Sequence, residues 1–229
     1  MQNPIKLHML DNPAWHALNG PQLHLAKVSG GGARYFPEVV PFAAVARPDE
    51  SCAKELNGLL VPGETFFLIG ELPPLQPGWQ IKHQLPCLQM ISERPLEAPD
   101  PSIPLLDLSP ADAAELYDLV QLVQPGYFMP ETGRMGRYTG IRENGQLVAV
   151  AGERMRLNGL TELSAICTHP GFTGRGYAGH LIAGLVNRQR AEGITSFLHV
   201  ASHNERAIRL YEKLGFVTRR EITFHLLSC

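Results

Sequence analysis

The stretch 163–181, LSAICTHPGFTGRGYAGHL, decides how the second half of this 229-residue chain folds. It begins with an apolar run, passes through a glycine-rich turn at 171–179, and continues with the apolar spacing of a helix. A strand, a glycine turn and a helix in this order form an anion site, because unpaired N–H groups and the helix dipole point at an approaching phosphate. Gly174 and Gly176 have no Cβ, so a pyrophosphate can come close to the main chain.

Two common nucleotide-binding patterns are disfavoured at this turn. A P-loop requires Lys followed by Ser or Thr after its second glycine, whereas Tyr177 and Ala178 follow Gly176. The dinucleotide fingerprint G-x-G-x-x-G is matched literally by residues 174–179. However, the next predicted strand, 194–200, ends without the carboxylate that would hold a ribose, and only about fifty residues follow the turn. A nucleotide-dependent oxidoreductase therefore rests on the literal match alone.

Two segments carry a resemblance to a known family. Residues 173–178, TGRGYA, are similar to motif A of the GNAT superfamily of acyl-CoA-dependent N-acyltransferases, whose pattern is Gln/Arg-x-x-Gly-x-Gly/Ala. Thr173 departs from the basic or amide residue usual at the first position. Residues 204–216, NERAIRLYEKLGF, are similar to the family's second block, Asn-x-x-Ala-x-x-x-Tyr-x-x-x-Gly-Phe. Both blocks occur in the expected order and spacing, and the resemblance covers about residues 107–227.

The resemblance implies that the chain binds acetyl-CoA as a cosubstrate and transfers its acetyl group to an amine. The strand before the turn would hold the pantetheine arm, the turn amides and Arg175 would hold the pyrophosphate, and Asn204 would bond the arm. The residues that the resemblance assigns to the cofactor are Ile166, Cys167, Thr168, Gly174, Arg175, Gly176, Tyr177, Ala178, Gly179 and Asn204.

Tyr211 matches the family's tyrosine near the coenzyme sulfur, which acts as general acid. A phenol, with an ordinary pKa of about 10, stays protonated at neutral pH and can donate as a thiolate forms. On helical spacing alone, Tyr211 would simply pack with Ala207 and Ile208.

Glu162 is the candidate general base, since several GNAT enzymes have a glutamate that acts as general base at this spacing before motif A. Alternation along the strand predicts two faces, one with Glu162, Ser164 and Ile166 and one with Leu163, Ala165 and Cys167. Apolar neighbours would raise the pKa of a carboxylate into the range of a base. The alternative is an exposed glutamate just past the Asn158-Gly159 turn.

Other residues with reactive side chains are predicted to play no catalytic part. His199 and His203 are four positions apart but straddle a strand end, so no metal site is predicted. Cys167 has no readable His/Asp partner and is predicted to be a buried, inert thiol. The loop 125–132, where the family's acceptor-binding segment falls, carries aromatic residues that either line an acceptor pocket or pack between the two halves.

Composition excludes several classes of protein. The chain has 20 Lys and Arg against 22 Asp and Glu, a balance that argues against a general nucleic-acid or membrane-surface binder. Its four cysteines form no C-x-x-C pair and read as thiols of a reducing compartment. Residues 1–10 lack the layout of a signal peptide, and no apolar run reaches bilayer length. These features predict a cytoplasmic protein; they leave its oligomeric state open.

Five prolines within 93–110 predict an extended connection between two halves. We therefore predict a smaller N-terminal α+β unit over 1–94 and a GNAT acetyltransferase domain over 107–229. In the second segment, Ser109-Pro110 begins a helix, two Asn-Gly turns join three antiparallel strands, and the order β-β-β-α-β-α-β follows. The fold class predicted is α/β with a mixed sheet and a GNAT-like acyltransferase core.

Three functions follow from these patterns, in decreasing order of support. The first is an acetyl-CoA-dependent N-acetyltransferase that acts by direct attack of a primary amine, small molecule or protein, on the thioester. The second is a non-catalytic acyl-CoA-binding sensor or interaction protein on the same fold, which the altered Thr173 would favour. The joint presence of Tyr211 and Glu162 favours the enzyme. The third is the oxidoreductase.

Overall fold

The structure is a computed structural model that describes residues 4–229. Residues 1–3, part of the segment predicted to contain no signal peptide, lie outside the described residues. The helices are α1 (Pro13–Leu18), α2 (Glu50–Asn57), α3 (Ala113–Val123), α4 (Tyr177–Ala191) and α5 (Glu205–Leu214). The strands are β1 (Ala26–Ser29), β2 (Gly32–Tyr35), β3 (Phe42–Val45), β4 (Thr65–Ile69), β5 (Gln80–Ser92), β6 (Leu106–Asp107), β7 (Tyr138–Glu143), β8 (Gln146–Leu157), β9 (Leu160–Thr168), β10 (Thr195–Ala201) and β11 (Phe216–Ser228). Short 3-10 helices occupy Pro4–Asp11, Leu23–Leu25, Pro110–Asp112, Thr132–Met135 and Pro170–Phe172.

The eleven strands of residues 4–229 form one mixed sheet, in the order β1-β2-β3-β4-β11-β5-β10-β9-β8-β7-β6. Strands β1 to β4 and strands β7 to β10 repeat one arrangement. In each set two antiparallel pairings are followed by a parallel pairing, and a helix connects the two parallel strands. The two halves of the chain therefore have related topologies.

Each half contributes one long strand to the other. Strand β5 follows β4 in sequence, yet it pairs with β10 and β11. Strand β11 ends the second half and pairs with β4 and β5 of the first. The sheet is thus continuous across the proline-rich connection at 93–105, and the division into units 1–94 and 107–229 stays a prediction.

The predicted element order of the second half is confirmed. Ser109 and Asp112 form the capping box at the start of the first helix, and the hairpin residues Asn144 and Gly145 both have positive φ, of 50° and 85°. The last strand of that order, β11, is 13 residues long. In the first half, β5 was not predicted, because its polar amino-terminal residues obscure the alternation.

The central sheet is covered by helices whose apolar stripes match it. Leu181, Ile182 and Leu185 of α4 pack in one cluster with residues of β7 to β10. Leu116 and Val120 of α3 belong to a separate cluster with β8 and β9. Within residues 4–229, no helix combines the length and the apolar character needed to cross a membrane.

Candidate functional site

The turn between β9 and α4 presents unpaired amides beside open space. Gly174 and Gly176 have φ of 81° and 79°, in the region that favours glycine. A Cβ at Gly174 would meet nothing within 4 Å, and one at Gly176 would meet only the His180 ring at 3.9 Å. No amide from Gly174 to Gly179 donates a hydrogen bond to another described residue. The predicted anion cradle is therefore present as a set of free donors at a helix N-terminus.

Two side chains, Arg175 and Thr173, flank this cradle, and a third predicted site residue, Asn204, lies at the start of α5. The Arg175 guanidinium lies over the Phe172 ring, with Cζ 4.8 Å from its centroid, and is exposed. Thr173 is exposed and its Oγ1 donates to the carbonyl of Pro170 at 3.3 Å. Asn204 Oδ1 accepts from the amide of Ala207 at 3.2 Å and so caps α5. This leaves the Asn204 amide nitrogen without an acceptor among the described residues.

Strands β9 and β10 separate close to the cradle. Their parallel pairing runs only from Leu160 and Thr195 to Glu162 and Phe197, although both strands continue. Past Phe197, no described residue of β10 pairs with β9. The backbone groups of β9 that face β10, including those of the stretch 163–168, are thus available to an extended ligand, as at the edge of a sheet.

A β-bulge reshapes β9 at the opening. Ala165 has φ of 50°, and the register between β8 and β9 shifts beside it. Leu163 and Ile166 pack in the α4 cluster, whereas Ala165 and Cys167 pack in the α3 cluster. The predicted alternation, with Leu163 and Cys167 on one face, is therefore wrong, because the bulge interrupts it.

A cavity of about 140 Å³, here called the splay cavity, lies at the opening between β9 and β10. Tyr211 from α5, Ala165 and Ile166 from β9, and Arg154 from β8 line it. Tyr211 is 8% exposed, and burial, with a contribution from Cys167, raises the pKa of its phenol to about 12. Burial likewise raises the pKa of the Cys167 thiol to about 12, in agreement with an inert thiol.

Glu162 is fully buried and forms an ion pair with Arg154, whose side chain is 16% exposed and lines this cavity. Its carboxylate accepts from Arg154 Nε at 2.8 Å and Nη2 at 2.6 Å, from His199 Nδ1 at 2.7 Å and from the Met155 amide at 3.3 Å. Burial alone would raise the pKa of Glu162, but the charge and hydrogen bonds of Arg154 and the bond from His199 outweigh it and lower the pKa to about 2. Both the predicted raised pKa and the exposed alternative are wrong.

The hydrogen bonds around His199 fix its tautomer. Arg219 Nη1 donates to Gln89 Oε1 at 2.9 Å, so the amide nitrogen of Gln89 points the other way. That nitrogen donates to the Leu10 carbonyl at 2.8 Å and to His199 Nε2 at 3.0 Å. His199 Nε2 is therefore an acceptor, and the ring proton is on Nδ1, which donates to Glu162. The imidazole is 1% exposed, and both of its nitrogens are engaged.

Comparisons with known proteins identify the family. The structure superposes on an acetyltransferase assigned to the GNAT family, from Novosphingobium aromaticivorans, with a TM-score of 0.88 and 37% identity. The match covers 96% of this chain and 98% of that one. The chain belongs to the GNAT family. The family model described as FR47-like protein matches residues 138–225, which contain the cradle and both strands of the opening.

A more distant GNAT structure shares the fold across the whole chain. The GCN5-related N-acetyltransferase from Kribbella flavida has a TM-score of 0.64 at 17% identity, and the match covers 98% of this chain and 95% of that one. No curated protein sequence matches the chain. The predicted GNAT resemblance and fold class are confirmed, and the family supports acetyl transfer in general.

The GNAT fold places most of the predicted site residues along one path. The cradle, the open side of β9 and Tyr211 follow one another around the opening, while Glu162 lies buried below it. Sequence reasoning missed Arg154, His199 as a partner of Glu162, and the bulge at Ala165. An arginine within the apolar stretch 147–157 was the available signal for Arg154, since a buried charge requires a partner. The bulge has no sequence signature.

The loop 125–132 contributes both to the splay cavity and to the contact between the two halves. Tyr127 lines the splay cavity and is 58% exposed. Phe128 is buried against Tyr138, with ring centroids 5.7 Å apart. The Thr132 hydroxyl donates to the Val39 carbonyl at 2.5 Å, so the loop also joins the two halves.

Proposed function

We propose that this GNAT protein is an N-acetyltransferase that uses acetyl-CoA and a primary amine, which attacks the thioester directly. The observation that carries the proposal is the continuity of the site: free amides at the cradle, an open strand edge beside them, and a cavity at its end into which Tyr211 projects. A long ligand with a phosphate end and an amide-bearing arm fits that sequence of groups.

The residues of the cradle and strand fit the cofactor chemically. The amides of Gly174 to Gly179 would bind the pyrophosphate, with the exposed Arg175 as a charge partner. The main chain of Ile166, Cys167 and Thr168 and the Asn204 amide would bind the pantetheine arm. Acetyl-CoA supplies the acetyl group as an activated thioester; the protein supplies position and hydrogen bonds.

Thr173 is expected to limit pyrophosphate capture, because its short side chain donates to Pro170 and carries no charge. We expect Thr173→Arg to lower the CoA dissociation constant by at most a few-fold, since an exposed ion pair contributes about 0–1 kcal/mol. The gain should shrink as salt is added. Calorimetric titrations at low and high ionic strength measure it. No gain at low salt would mean that Arg175 and the amides already suffice.

Acetyl-CoA and CoA should stabilise the protein, whereas NADH and ATP should not. A ligand at a hundred times its dissociation constant adds about 2.7 kcal/mol to the free energy of unfolding. For a chain of this size, that corresponds to a rise of about 5–10 °C in Tm. A thermal scan with each ligand in turn measures it. A rise with NADH and none with CoA would contradict the proposal.

Tyr211 is proposed to donate to the departing sulfur. Its raised pKa keeps the phenol protonated across the working range, so the hydroxyl is always a donor. The proposal is supported by the lining of the splay cavity, which Tyr211 shares with Leu163 to Ile166 of β9.

Glu162 is proposed to position Arg154 rather than to accept a proton. A carboxylate with a pKa near 2 and four hydrogen bonds is a poor base at neutral pH. No Asp or Glu of the described residues lines the splay cavity. The amine must then reach the thioester neutral, or release its proton to water.

The deciding experiment is an amine panel with release of free CoA thiol as the readout. Thiol release that depends on the amine supports an enzyme. CoA binding without release for any amine would favour the sensor, the alternative that Thr173 suggests.

A further inference from the structure

A second cavity adjoins the splay cavity and has a different character. It measures about 120 Å³ and shares Tyr127, Arg154 and His199 with the splay cavity. Its remaining walls are mainly apolar and include Phe42, Phe67 and Phe224. We call it the aromatic cavity. An apolar cavity of about 150 Å³ binds benzene, so this one suits a single group of phenyl or leucine size.

Arg154 lines both cavities, and one of its nitrogens is free to donate a hydrogen bond. Its guanidinium lies over Phe42 and Phe224, with Cζ 5.1 and 5.8 Å from their centroids. Nε and Nη2 are held by Glu162, and Nη1 donates no hydrogen bond to a described residue. Since Glu162 balances the charge of Arg154, the free N–H groups suit an uncharged oxygen such as a carbonyl.

The residues that line the two cavities also limit which amines can serve as the acceptor. Neither lining contains an Asp or Glu among the described residues, so a second ammonium group on the acceptor would find no partner beside Arg154. Since no described residue of either lining offers a carboxylate base, the site favours an amine with an appreciable neutral fraction near pH 7. The α-amino group of a peptide, with an ordinary pKa of about 7.7–8.0, meets this condition far better than an alkylamine near 10.4.

We infer that the acceptor is the α-amino group of a peptide whose first residue has a bulky apolar side chain. That side chain fills the aromatic cavity, the first carbonyl oxygen accepts from Arg154 Nη1, and the rest of the peptide leaves past the exposed ring of Tyr127. The inference rests on the proposed acetyl transfer: the amine nitrogen bonds to the acetyl carbon, the thioester carbon–sulfur bond breaks, and the amine proton replaces the acetyl group on sulfur.

The test compares kcat/KM for five acceptors with acetyl-CoA: Phe-Gly-Gly, Ala-Gly-Gly, free L-phenylalanine, 2-phenylethylamine and spermidine. We expect Phe-Gly-Gly to exceed each of the others by about 10-fold or more, from burial of the phenyl group and from the hydrogen bond to Arg154. Equal or better use of spermidine or 2-phenylethylamine would overturn the inference while leaving the acetyltransferase intact. A preference for free phenylalanine would show that the pocket takes amino acids and would overturn the inference that the acceptor is a peptide.

Two variants locate the specificity. Ala201→Leu adds bulk to the wall of the aromatic cavity and should lower the Phe-Gly-Gly to Ala-Gly-Gly ratio of kcat/KM by about 10-fold. Ala191→Leu, at the exposed end of α4, is the matched control and should keep the ratio. Arg154→Lys retains a cation for Glu162 but loses Nη1, and should reduce the preference for Phe-Gly-Gly over 2-phenylethylamine. An unchanged ratio in Ala201→Leu would overturn the inference even if the lysine variant fails to fold.

A binding measurement distinguishes failure of the peptide inference from failure of the proposed acetyl transfer. Phe-Gly-Gly is titrated into the CoA-loaded protein by calorimetry. Binding with no acetylation would reject the proposed reaction and keep the peptide pocket. Acetylation of other amines, with no binding of Phe-Gly-Gly, would reject the peptide pocket and keep the proposed reaction.

Discussion

Tyr211→Phe should lower kcat by about 10²–10⁴, the usual range for the loss of a positioned general acid. The substitution keeps the ring, which packs with Phe216 at a centroid distance of 6.0 Å, and removes only the hydroxyl of this residue of the splay cavity. CoA affinity and Tm should hardly change. Steady-state kinetics with an acceptor at saturation, alongside calorimetric titration with CoA, measures both.

Tyr117→Phe is the matched control for this variant. Tyr117 lies on α3, packs against Phe128 at a centroid distance of 6.4 Å, and does not line the splay cavity. Its phenylalanine variant should keep full turnover. Full turnover in Tyr211→Phe as well would return Tyr211 to a packing role and leave the departing sulfur to be protonated by water.

Gly176→Val should abolish measurable CoA binding. The valine side chain would occupy the open space where the cradle faces the ligand, and a β-branched residue at φ of 79° would displace the amides on either side. The measurement is calorimetric titration with CoA on protein whose circular dichroism is unchanged.

Gly193→Val separates the loss of the site from backbone strain. Gly193 follows the carboxyl end of the same helix, has φ of 75° and also faces open space. Its variant bears a similar strain far from the cradle, so it should lose stability and still bind CoA. Equal loss of binding in both variants, or unchanged affinity in Gly176→Val, would place the phosphates elsewhere.

Local patterns made the second half of the fold predictable. The cap at Ser109, the hairpin at Asn144-Gly145 and the glycine turn each act within a few residues, and the structure has the elements they predict. The partners of β5 and β11 were beyond reach, because strand pairing across a hundred residues depends on tertiary contacts rather than on local sequence.

In the site too, local sequence patterns were predictable and tertiary contacts were not. The motif residues could be placed on a strand, a turn and a helix, and the structure brings the cradle and Tyr211 to one opening. The environment of Glu162 could not be read from its neighbours in sequence, since Arg154 and His199 come from other strands and reverse the direction of its pKa shift. The bulge at Ala165 likewise depends on how β8 and β9 pair.

The exchange of β5 and β11 sets the order in which the protein can be assembled. Strand β5 is synthesised about a hundred residues before β10, so a nascent chain must hold it without its final neighbours. Such distant pairings give a high contact order, which predicts slow folding. Until its partners have folded, β5 is an unpaired strand that is prone to aggregation. Strand β11 comes after all the other strands in the chain and lies between β4 and β5, so these two strands have no common neighbour in the sheet until β11 has been added.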